Sequence, residues 1–100
     1  MPFKQSLTIQ TASSISDGAV YGVPSAPIQF SAYLSGAGGS ASVSIYVRES
    51  SGAPWYLRGS FALSGANARD QFTVTGESWS EVYASTTAIS SATVTVVMGG

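Results

Sequence analysis

Apolar and polar residues alternate with a period of two along most of the chain, and no segment carries the 3.6-residue period of an amphipathic helix. Residues 3–10 set Phe3, Leu7 and Ile9 on one face. Residues 28–34 turn Ile28, Phe30, Ala32 and Leu34 inward, and residues 42–49 do the same with Val43, Ile45 and Val47. In 55–63 the inward set is Trp55, Leu57, Gly59, Phe61 and Leu63. Residues 71–75 make a short strand, and 79–84 a strand whose facing the pattern leaves ambiguous. Residues 91–98 place Ala92, Val94, Val96 and Met98 together. The glycine-rich stretch 35–40 predicts a hairpin between the strands on either side of it. Residues 11–27, rich in Ser, Gly and Pro, read as a long loop carrying Val20, Tyr21 and Val23. Such a loop is expected to be used for binding, since it is longer than most connections in a compact domain. About seven short strands at roughly 8–12-residue spacing predict an all-β fold: one antiparallel β-sandwich over residues 1–100, jelly-roll-like or Ig-like.

Composition narrows what such a sandwich can do. Of the 100 residues, 44% are apolar, but 13 are alanine, which leaves 31 large apolar side chains for one thin core. Charged residues are only 9%, against roughly 25% in an ordinary soluble domain. The net charge of −1 offers no basic footprint, so nucleic acid is not an expected partner. The longest apolar run, Val96-Val97-Met98, is far too short for a membrane helix, and no membrane association is expected. The N-terminus shows no basic region leading into an apolar stretch, so synthesis in a cytoplasm is expected. A small domain without cysteine has no disulfide staple and is expected to gain stability from a partner or from its own copies.

Candidate chemistry is sparse. With neither His nor Cys, a Ser-His-Asp or Cys-His nucleophile cannot be assembled within the chain. The carboxylates are Asp17, Glu49, Asp70, Glu77 and Glu81. Glu77 and Glu81 are close in sequence but read as solvated surface charge rather than a hydrolytic pair. No clustered-oxygen loop suggests a metal site. Asp70, next to Arg69 at the start of a strand, reads as a carboxylate that accepts backbone N–H groups. No cofactor is expected, and the chain reads as not an enzyme. Trp55 and Trp79 read as core or core-rim side chains. Tyr33, Tyr46 and Tyr56 alternate away from the core set of their strands. Outward tyrosines among Ser, Thr and Ala suit a protein interface with little charge to desolvate. Together with Tyr21 and Val23 of the long loop they are the expected interface residues.

The second half carries a recognisable order of motifs. Trp55, then Gly59-Ser60-Phe61-Ala62-Leu63-Ser64-Gly65, Asp70-Gln71-Phe72, Trp79, Ala88-Ile89-Ser90 and Ala92-Thr93-Val94-Thr95-Val96 follow one another. This order, over about residues 43–100, resembles small virion structural proteins of tailed bacteriophages, some of them capsid decoration or cement proteins. The resemblance implies a virion protein made in a bacterial host cytoplasm that binds the outside of the major capsid protein shell and reinforces it. It implies association with the shell, with copies of itself, or both, a trimer in the first instance. Two alternatives accompany it. One is a tail or fibre module binding bacterial surface carbohydrate through Trp55, Tyr56 or Trp79; the other is a tail or head-completion component.

Overall fold

The computed structural model describes residues 6–23, 27–36 and 38–99; the predicted inward Phe3 lies outside them. Among the described residues nine strands form: β1 (Ser6–Ala12), β2 (Ser16–Asp17), β3 (Tyr21–Gly22), β4 (Ile28–Ser35), β5 (Ser40–Arg48), β6 (Tyr56–Ser64), β7 (Arg69–Val74), β8 (Glu81–Ser90) and β9 (Thr93–Gly99). The first sheet has the order β1-β9-β4-β7, and the second β2-β8-β5-β6 with β3 also on β8. All pairings are antiparallel. The sheets face each other across a core whose largest sealed side chains include Phe30, Phe61, Ile9, Ile28 and Ile45. Every buried side-chain polar atom among the described residues has a hydrogen-bond partner.

Among the described residues, β5 and β6 are the one pair of sequence neighbours that also pair in space. β2 and β3 follow one another along β8; at every other step the chain crosses from sheet to sheet, and its first long strand pairs with its last. That wrapping is the jelly-roll form of the sandwich and not the Ig-like one. The predicted hairpin across residues 35–40 is therefore overturned, because β4 lies in the first sheet and β5 in the second. Alternation says only that each strand has one apolar face. Two such strands bury those faces equally well side by side or opposed across a core. The crossing turns on Gly39, at φ 120°, where a Cβ would overlap the backbone carbonyl oxygens of Ser90 and Ser91. Gly39 O also accepts the N–H of Gly65 (2.9 Å), which ties two crossings together at this end.

Residues 11–27 are shorter of loop than the pattern predicts. β1 runs on to Ala12, and two-residue strands β2 and β3 pair with β8. Gln10 holds this region to the core. Its Oε1 accepts from the buried Thr86 hydroxyl (3.0 Å), and its Nε2 donates to the Ser16 carbonyl (3.0 Å). A bulge at Ile9 puts it there: the register jumps from Thr8↔Val97 to Gln10↔Val96, so Ile9 and Gln10 are both buried.

Two further bulges alter the predicted facings. In β6 the register passes from Ile45↔Gly59 to Tyr46↔Leu57, and Arg58 is the extra residue. Leu57, predicted inward, consequently shares the outer face with Tyr46 and is 51% exposed. In β8 the extra residue is Thr87, between Val43↔Thr86 and Ser42↔Ala88. This hides the alternation of 85–90 and explains why the strand, expected over 79–84, instead spans Glu81–Ser90.

Candidate docking surface

One end of the second sheet carries an aromatic cluster on its outer face. Antiparallel register puts Tyr46 of β5 opposite Tyr83 of β8, and Arg48 opposite Glu81. Directly opposed residues share a sheet face, so both pairs stand together on the side away from the core. The two tyrosine rings stack, centroids 5.1 Å apart and planes 14° from parallel. Trp55, from the β5–β6 turn, meets Tyr83 at right angles with centroids 4.7 Å apart. The Arg48 guanidinium lies 4.2 Å from the Trp55 ring centroid and reaches Glu81 Oε1 through Nη2 at 2.7 Å. Leu57, turned outward by the bulge, continues the cluster beyond Tyr46.

The rest of this face is small and uncharged. Ser42 and Ser44 of β5, Ser60 and Ala62 of β6 and Ala88 of β8 point outward toward the far end of the sheet. The ion pair is satisfied internally, and Asp17 at the β2 margin accepts the Ser85 hydroxyl (2.5 Å). Burial raises the Tyr83 phenol above its ordinary value, with Asp17 and Tyr46 adding to the effect. The face thus presents an apolar ridge of Leu57, Tyr46, Tyr83 and Trp55 beside a flat floor of hydroxyls and methyls, with no unpaired charge on the ridge. Aromatic anchors of this kind carry most of the energy in protein interfaces, while small residues allow close approach.

A second aromatic group sits at the open side between β6 and β7. Tyr56, 56% exposed, stacks on Trp79 with centroids 5.7 Å apart and planes 9° from parallel. Arg58 Nε and Nη2 donate to Glu77 Oε1 and Oε2, both at 2.9 Å, and Trp79 Nε1 donates to the same Glu77 Oε1 at 2.7 Å. The hydrogen bonds from Arg58 and then from Trp79 hold the Glu77 carboxyl below its ordinary value, and the bond to Glu77 raises Arg58. This network covers an edge strand. The Arg58 bulge and its charged side chain blunt a β6 edge that would otherwise offer free backbone groups.

The five expected interface residues do not come together. Tyr46 lies in the aromatic cluster, and Tyr56 in the edge group. Tyr33 is 41% exposed on the outer face of the first sheet, on the opposite side of the molecule. Tyr21 and Val23 are half-buried and pack against the core, and Val23 N–H donates to Ser80 O (3.0 Å). Trp79 packs against the core and Tyr56, as expected of a core-rim side chain, whereas Trp55, expected inward, lies on the outer face against Tyr83 and Arg48, because it precedes the β6 bulge that reverses the facing. Tyr83 and Leu57 belong to the cluster without having been expected there. The register of β5 on β8 and the bulge in β6 place them, and neither is written in the alternation. Among the described residues, no three His, Cys, Asp or Glu side chains group to hold a metal ion.

The whole chain shares its fold with the SPBc2 prophage-derived protein YomS, known from a crystal structure. The two align at a TM-score of 0.59 and 18% sequence identity, over 100% of this chain and 96% of that one. No protein-family model matches the chain, and no curated protein does.

Proposed function

We propose that the protein is a non-enzymatic structural component of a phage virion, a capsid decoration protein that attaches to other protein subunits through the outer face of its second sheet. The observation that carries this reading is the ridge of Leu57, Tyr46, Tyr83 and Trp55 standing on a face otherwise floored by Ser and Ala. Full-length likeness in fold to a prophage-derived protein supports a phage origin. The motif order of residues 43–100 supports a place in the virion, whether on the shell or in copies of itself.

The physics of attachment follows from the face. Apolar burial contributes about 25 cal/mol per Å2, and an aromatic side chain can bury about 150–250 Å2. Exposed ion pairs contribute about 0–1 kcal/mol each and are screened by salt. The aromatic ridge therefore dominates any charge this chain can offer. A protein that binds the assembled shell better than free subunits stabilises the shell by mass action.

Mass spectrometry and imaging of purified phage particles test the proposal. The expected result is this chain in copy numbers commensurate with the shell lattice, with the second sheet turned toward the capsid. Absence from particles, or confinement to the tail, would contradict it.

A further inference from the structure

The opposite face of the molecule holds a different kind of feature. On the outer side of the first sheet, β4 and β7 border a half-open groove of about 500 Å3, lined by Ser31, Ala32, Tyr33, Arg69, Asp70 and Gln71. Register places Ser31 opposite Gln71 and Tyr33 opposite Arg69, so these four side chains stand on one face of the sheet. Tyr33 is 41% exposed. Arg48 and Arg58 are each committed to a glutamate, whereas Arg69 is the one arginine among the described residues with no carboxylate partner. Asp70 is anchored, its Oδ1 accepting the N–H of Gln71 at 2.8 Å.

We infer that this groove is a binding site for an acidic saccharide, a sugar ring bearing a carboxylate such as a uronic or sialic acid residue. A pyranose has one flat face of C–H groups, which packs against an exposed aromatic ring such as Tyr33, and a rim of hydroxyls. The Gln71 amide and the Ser31 hydroxyl offer that rim both donors and acceptors, while Asp70, opposite the buried Ala32, turns its side chain to the other face of the sheet. The unpaired Arg69 fork supplies what a neutral sugar would leave unused, a planar pair of donors matched to a carboxylate. The volume lies within the roughly 300–1,000 Å3 of small-ligand sites. It is too small for a protein partner, whose contact spreads over about 20–30 residues a side.

The inference does not rest on the docking proposal, and the two are geometrically compatible. The molecule is a slab of 37 × 37 × 18 Å with the groove on one broad face and the aromatic ridge on the other. A subunit held by its second sheet would leave the groove facing outward.

The test is a titration of 15N-labelled protein with N-acetylneuraminic acid and with galacturonic acid, with galactose and acetate in parallel. At least one acidic sugar is expected to give saturable shifts at millimolar concentration, confined to amides of Ser31–Tyr33 and Arg69–Gln71. Galactose and acetate should each bind more weakly. R69Q should weaken the acidic sugar by about tenfold, the loss of a charge-assisted hydrogen bond, and leave galactose unchanged. Y33S should weaken both sugars. Each substitution lies on an exposed face, and an unchanged amide spectrum elsewhere confirms folding. No localised shift from either acid, equal affinity in R69Q, or acetate matching the acids would overturn the inference.

Discussion

Gly59 sits where the sandwich leaves no room for a side chain. Its strand position faces the core, as alternation predicts, and the missing Cβ admits the Phe72 ring between Phe30 and Phe61, with centroids 5.3 Å from each. A Cβ on Gly59 would lie 2.8 Å from Phe72 Cζ, so the ring would have to move out of both contacts. Gly59→Ala is expected to destabilise by about 1–3 kcal/mol, as overpacking does, read as a lowered urea midpoint with an unchanged slope. Glu77 gives a pH signature. Its folded carboxyl titrates below the ordinary 4.5, so its contribution is present above that value and is lost as pH falls through the folded one. Wild type should be more stable than E77Q at about pH 6, and the gap should shrink as the pH is taken down below the ordinary carboxylate value. A gap independent of pH would mean that the Arg58–Glu77 network stabilises through packing alone. At this scale the inward position of Gly59 was legible in the sequence. The outward position of Leu57 was not, because the Arg58 bulge lies between them.

Strands with clean alternation, β4, β5 and β9, sit close to where the pattern predicts them and bury the expected side chains. The misreadings fall at bulges and at crossings. In β1, β6 and β8 one extra residue reverses the facing beyond it, and alternation specifies a face only within an uninterrupted stretch. β2 and β3 leave no mark in the pattern because a two-residue strand is defined by its partner, here β8, and has no period of its own. The β1 bulge makes a prediction at this scale. Q10L would keep the volume of the side chain but leave the Thr86 hydroxyl and the Ser16 carbonyl without their bonds. It is expected to cost about 1–3 kcal/mol by chemical denaturation. Adding T86V should recover part of that loss, since removing both partners of a buried bond is milder than removing one. A double variant no better than Q10L would show that Thr86 takes no part in the penalty.

As a whole, the molecule has two broad faces of different chemistry around one thin core. The jelly-roll wrapping brings the Tyr46–Tyr83 pair together from strands 37 residues apart, and only the pairing of β5 with β8 reveals the ridge. The sequence did show that the surface is poor in charge and that its tyrosines point outward, and from those two facts a protein interface was already expected. The same ridge should favour self-association: sedimentation of wild type at micromolar concentration is expected to show an oligomer, and L57S should shift it toward monomer. A stable wild-type monomer would leave the shell as the sole partner of the ridge. The central claim, attachment by apolar burial through the second sheet, is tested most directly by co-sedimentation. Wild type and a W55S/L57S double variant would be mixed with phage particles stripped of the protein by dilute urea. Wild type should stay on the particles through a few hundred millimolar salt and leave in dilute urea, while the folded double variant should fail to bind. Release by salt with resistance to urea, or undiminished binding of the double variant, would contradict the account.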